Sequence, residues 1–75
     1  MSNDPMPIYT AYCRPFKGTE HMVFVLDKQG NPWVLLGEDG KPQMMETKKV
    51  DGLVAKIIRA KEINPEHWRQ HDDGP

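Results

Sequence analysis

The fold of this chain is decided by residues 21–27, which read HMVFVLD, and by residues 33–36, which read WVLL. Both segments are short, apolar and rich in β-branched and aromatic residues, which is typical of strands. Neither alternates apolar with polar residues, as a sheet with one face in water does. In the first strand, one face carries Met22, Phe24 and Leu26, and the other carries Val23 and Val25. The pattern therefore predicts a sheet whose two faces both need cover.

Two further strands are predicted on either side of this pair. Residues 8–16 read IYTAYCRPF and predict a strand that either lies at a sheet edge or ends near Arg14, because Pro15 has no amide hydrogen to donate to a neighbouring strand. Residues 42–47 predict a return strand after Asp39-Gly40, a pair suited to a tight hairpin turn. Such short connections favour an antiparallel β-meander of three to four strands.

The hydrophobic period changes after the predicted strands. Apolar residues recur at the spacing of an amphipathic helix, at Val50, Leu53, Val54, Ile57 and Ile58. Two starts are compatible with this pattern: Thr47 as N-cap, or Asp51 as N-cap with the fourth strand continuing to about Lys49. We take the helix as residues 47–62.

A second helix start follows at Asn64-Pro65, where asparagine suits the cap and proline the first helical position. This predicts a short C-terminal helix over residues 65–70. The expected fold class is therefore α+β: a small antiparallel meander, one amphipathic helix packed on it, and a short second helix.

Length and composition predict a single domain over residues 1–75, with a structured core at about 8–68 and flexible flanks at 1–7 and 69–75. The formal net charge of −1 excludes a uniformly basic nucleic-acid coat. No apolar run approaches the roughly 20 residues of a membrane span, and no signal peptide is recognisable. With one cysteine and therefore no intrachain disulfide, we expect a cytoplasmic protein.

The doubly apolar strands carry the leading functional hypothesis. One helix covers one face, so the other face is covered by the chain itself, in a sheet that curls closed, or by another molecule. The second case predicts a small non-catalytic protein-interaction module of the regulator or inhibitor type. It would bind a protein partner or a second copy, as a homodimer, through an open edge strand or an apolar sheet face. The residues assigned to that face are Val23, Val25, Trp33 and Leu35.

The helix carries the alternative hypothesis, a nucleic-acid-binding accessory protein. Residues 48–61 hold five cationic side chains and one acidic one, Asp51. On a helical wheel most of these cations lie opposite the apolar arc, an arrangement that suits a phosphate backbone but is equally typical of a solvated face. The residues assigned are Lys48, Lys49, Lys56, Arg59 and Lys61.

Catalytic and metal chemistry have weaker signals. Cys13 could be drawn with His21 or His67 as a nucleophile and base, but a small half-buried strand residue is the simpler interpretation. No glycine-rich phosphate loop is present. His67 and His71 would share a helix face and are followed by Asp72 and Asp73, yet the H-E-x-x-H pattern is absent and a frayed tail is a poor frame for ligands. We therefore expect no enzyme activity, no cofactor and no metal site.

Overall fold

Six strands and one helix make up the part of the chain that the computed structural model describes, residues 4–71. The strands are β1 (Met6–Lys17), β2 (Glu20–Asp27), β3 (Pro32–Leu35), β4 (Met44–Glu46), β5 (Glu62–Ile63) and β6 (Trp68–Gln70). The helix α1 (Thr47–Ala60) connects β4 to β5. The predicted α+β class is confirmed, and the antiparallel sheet has more strands than the three to four expected.

Strand β2 is the centre of the sheet. It pairs antiparallel with β1 along one edge, and its other edge is shared between β3, at residues 24–26, and β4, at residues 20–22. The remaining strands extend the sheet outward, giving the order β5-β1-β2-β3-β6. The simple meander therefore holds only for the first three strands.

The predicted strand at residues 42–47 is shorter and pairs elsewhere. The turn forms as expected, with Gly40 at a φ of 78° and a single bridge between Leu36 and Pro42. The chain then leaves β3 and joins β2, so that only Met44–Glu46 is a strand. This crossing places Met45 against the core and delivers the chain to the start of α1.

Helix α1 begins at Thr47, with Glu46 as N-cap, so the alternative start at Asp51 is wrong and Gly52 lies inside the helix. The Thr47 hydroxyl donates to the carbonyl of Thr19 at 3.3 Å, which ties the helix start to the β1–β2 turn. The helix ends at Ala60, two residues before the predicted end at residue 62. Lys61 follows as the C-cap in the left-handed conformation, with a φ of 64°.

One face of the sheet packs against α1 to form the main core. Val23 and Val25 of β2 have no exposed surface and pack with Val50 and Ile57 of the helix. The other buried members of this cluster are Ile8, Ala11, Ile63 and Trp68. Val50, Leu53, Val54 and Ile57 of the apolar arc are therefore used for folding, as the spacing predicts, whereas Ile58 is 45% exposed.

The opposite face of β2 is covered by side chains of the chain itself. Phe24 has 0% exposure because the ring of Tyr12 stacks on it at 5.4 Å, measured between ring centroids. The His71 ring meets Phe24 edge-on at 5.1 Å, and the Arg14 guanidinium lies 5.5 Å from its centroid. The sequence left open whether the chain itself or another molecule covers this face of the sheet. In the structure, side chains of the chain itself cover it.

The C-terminal segment ties the two edges of the sheet together. Strand β5 pairs with β1 at one edge, and β6 pairs with β3 at the other, with only residues 64–67 between them. Four inter-strand spacings of a flat sheet would span about 19 Å. The path from Ile63 to Trp68 consists of two extended steps and a 3-10 turn, and it reaches only about 13 Å. The sheet is therefore curled, with Ile63 and Trp68 inserted into the core on the concave side.

The predicted short helix at residues 65–70 is wrong. Asn64 caps the turn as expected, accepting from the amide of Glu66 at 3.0 Å, but the turn is a 3-10 turn that ends at His67. Trp68 is extended, with φ −132° and ψ 154°, and begins β6. The open edge of β3 offers backbone partners there, and extension buries the Trp68 side chain, which together outweigh the weak local helix signal.

The ends of the structured region also extend further than the sequence indicates. Met6 and Pro7 pair with β5, and Arg69 and Gln70 belong to β6, although all four lie in segments predicted to be flexible. For residues 1–3 and 72–75 the same prediction lies outside the described part of the chain.

Asp27 organises the turn between β2 and β3. Its Oδ1 accepts from the amides of Gln29 at 2.9 Å and Asn31 at 2.8 Å, and its Oδ2 accepts from Trp33 Nε1 at 3.0 Å. Burial alone raises the pKa of this carboxyl, but the hydrogen bonds from Trp33, Asn31 and Gln29 outweigh it. The pKa of Asp27 therefore lies below its ordinary value.

Trp68→Ala tests the closure of the sheet. Removing a buried tryptophan leaves a cavity where β6 joins the core, so the free energy of unfolding should fall by about 3 to 5 kcal/mol in urea titrations. Gln70→Ala, two residues along the same strand and exposed, is the control and should change stability by less than about 0.5 kcal/mol. Equal stability of the two variants would show that Trp68 does not hold the closure.

Asp27→Asn tests the turn carboxylate. An amide cannot accept from all three donors, so unfolding at neutral pH should require about 1 to 3 kcal/mol less. Because the folded-state pKa is lowered, the wild-type advantage is complete above the unfolded value of about 3.9 and disappears as the pH falls through the folded value. A stability difference that persists unchanged at lower pH would contradict this assignment.

Candidate interaction surfaces

The four residues first assigned to a partner face lie in or beside the core. Val23 and Val25 are fully buried under α1, so their side chains present no surface to another molecule. Trp33 and Leu35 are half-buried and pack against the same cluster, and the Trp33 indole is held by Asp27. Apolar residues on both faces of the strands thus reflect a sheet that is covered on both faces.

The outer edge of β1 is the longest open strand edge. Met6 and Pro7 pair with β5, and the amide of Ile8 donates to the carbonyl of Lys61 at 3.1 Å. From residue 9 to residue 17, β1 pairs with β2 alone among the strands at residues 4–71. The other outermost strands, β5 and β6, have only two and three residues.

Two exposed aromatic rings stand at the ends of this open edge. Tyr9 is 74% exposed and Phe16 is 58% exposed. Each lies where the register of β1 with β2 shifts, between Ile8 and Thr10 and between Pro15 and Lys17. A shifted residue leaves the regular alternation of faces, which turns both rings toward solvent. The sequence analysis missed these two residues, because a bulge is not visible in a period-2 pattern.

The outward face of α1 is the second candidate surface. Lys48, Lys49, Lys56 and Arg59 are all exposed, and Lys61 follows at the C-cap. Within the described residues, no hydrogen bond or ion pair engages any of these five side chains. Gly52 lies among them and faces open space. The structure therefore gathers the predicted cations on one helix and leaves them available.

Cys13 is separated from the histidines considered as its base. Its side chain is half-buried and packs against the core, and its backbone lies opposite Val23. His21 Nδ1 lies 3.2 Å from the carbonyl of Thr19 and 3.5 Å from the hydroxyl of Thr47. In residues 4–71 no hydrogen bond joins Cys13 to a histidine.

His67 and His71 do not share a helix face. His67 ends the 3-10 turn, whereas His71 follows β6 and packs on Phe24. In the described part of the chain, no group of three or more potential ligands among His, Cys, Asp and Glu comes together.

Comparison with known proteins yields no relative. No family model matches the chain, and no curated protein and no solved structure is significantly similar to it. Within residues 4–71, no helix is long and apolar enough to cross a membrane.

Proposed function

We propose that this protein is a small non-catalytic interaction module, of the regulator or inhibitor type, whose partner adds a strand to the outer edge of β1. The observation that carries the proposal is the open stretch of β1 from residue 9 to residue 17, with the exposed rings of Tyr9 and Phe16 at its ends. Unpaired strand edges attract other strands, and proteins usually shorten or cover them. A cytoplasmic location belongs to the same proposal, since a single cysteine suits a reducing compartment.

The partner that best fits this edge is a second copy of the chain. Two β1 strands related by a two-fold axis pair antiparallel, and an axis at Cys13 aligns the whole open stretch with its copy, although Pro15 has no amide hydrogen to donate there. In that register Arg14 lies opposite Tyr12 of the second copy, so no two like charges face each other at the centre of the pair. An axis at Arg14 would instead place two arginines opposite each other. An axis at Tyr12 would require the backbone of Ile8, which already bonds to Lys61.

A double variant, Tyr9→Lys with Phe16→Lys, tests the edge. Both side chains are exposed, so the fold should be retained while the apolar contacts are replaced by repelling charges. We expect sedimentation velocity to show a concentration-dependent dimer for the unchanged chain and at least about tenfold weaker association for the variant. Gln29→Lys with Gln70→Lys adds the same charge at exposed positions away from β1 and should leave the dimer intact.

The native cysteine reports the register. With the axis at Cys13, the two Cβ atoms lie about 4.5 to 5.5 Å apart across the pair, and the lower end of this range meets the separation that a disulfide spans. Mild oxidation should therefore yield covalent dimers in the unchanged chain and few in the Tyr9→Lys, Phe16→Lys variant. A chain that remains monomeric up to hundreds of micromolar would rule out the second copy as partner. A dimer unaffected by the variant would rule out the β1 edge.

A further inference from the structure

We propose that the outward face of α1 binds duplex nucleic acid through its phosphate backbone. This surface is separate from the β1 edge and does not depend on it. The face carries Lys48 and Lys49 near the helix start and Lys56 and Arg59 near its end. Phosphates are bound by such exposed cations through charge, with no requirement for a shaped pocket.

The charges on this face are unbalanced and unoccupied. Asp51 is the only acidic residue within the helix, and at 100° per residue it lies beside Ile58, outside the arc of the four cations. None of the four cations has a side-chain partner in the described residues. The chain as a whole has a net charge of −1, so the charge of +4 on residues 48–61 is set against a charge of −5 on the rest of the chain.

The distance between the two pairs of cations along the helix matches the distance between the two phosphate strands that border a groove of the duplex. At 1.5 Å per residue, the rise from Lys49 to Lys56 is about 10 Å and that from Lys48 to Arg59 about 16 Å. A B-form major groove is about 12 Å wide, so one cation pair can lie against each of its two phosphate walls. Between the pairs stand Gly52 and Ala55, small residues that allow the helix backbone to approach closely.

The same observations disfavour an anionic membrane as the ligand. A helix that lies in a membrane interface inserts its apolar face among the lipids. In α1 most of that face is occupied by the core, with Val50 and Ile57 buried against the sheet, and Ile58 is the one exposed residue of the apolar arc. Contact with lipid headgroups would then be limited to charge alone, without the anchoring that apolar insertion supplies.

Fluorescence anisotropy with a labelled DNA duplex of about 20 base pairs tests the proposal. Four phosphate contacts predict a slope of about −3.6 in log affinity against log salt, or roughly 100-fold weaker binding at 200 mM than at 50 mM. The variant Lys56→Glu with Arg59→Glu should lose at least tenfold in affinity at low salt. Circular dichroism verifies that each variant is folded.

The matched control is Lys28→Glu with Lys41→Glu, which makes the same change in net charge at exposed lysines outside the helix. It should retain affinity within about threefold. Absence of binding at about 20 mM salt, or equal losses in the two variants, would overturn the proposal. Vesicles containing phosphatidylserine are the competing probe, and binding to them as tight as to the duplex would overturn the assignment to nucleic acid.

Discussion

The closure of the sheet by residues 62–70 is the constraint on which the rest of the structure depends. Strand β5 pairs at one edge and β6 at the other, and the four residues between them cannot span a flat sheet. The sheet must therefore curl, and curling creates the concave side that receives α1. Ile63 and Trp68 fill that side together with the helix, so the residues that close the sheet also form part of the core.

Closure of the sheet also decides whether the apolar residues of β2 are exposed to a partner or buried within the chain. A flat sheet with Val23 and Val25 on one face and Phe24 on the other would leave an apolar face for a partner. In the curled sheet the valines meet α1, and Phe24 is enclosed by Tyr12, Arg14 and His71. The two proposals rest instead on an edge and a helix surface among the described residues: the open side of β1 and the cations of α1.

These two surfaces differ in the physics of recognition. A strand added to β1 would be held by backbone hydrogen bonds, with Tyr9 and Phe16 supplying the apolar contacts, and would depend little on salt. Binding to the helix would be electrostatic and strongly dependent on salt. The surfaces use different residues and different elements, so a single protein can carry both. The exposed side chains of each surface lie outside the core, so we expect their substitution to leave the core intact.

The sequence by itself determined the local elements, because strand and helix periodicity, turn residues and caps act between near neighbours. It indicated the strand at 21–27, the hairpin glycine at Gly40, an amphipathic helix with its start left between Thr47 and Asp51, and the gathering of cations on that helix. The tertiary structure decided the pairing of β4 with β2, the extension of Trp68 and the cover over Phe24. Those outcomes depend on which edges and cavities remain open once the sheet has curled. Such long-range competition for backbone partners and buried volume leaves no local pattern in the chain.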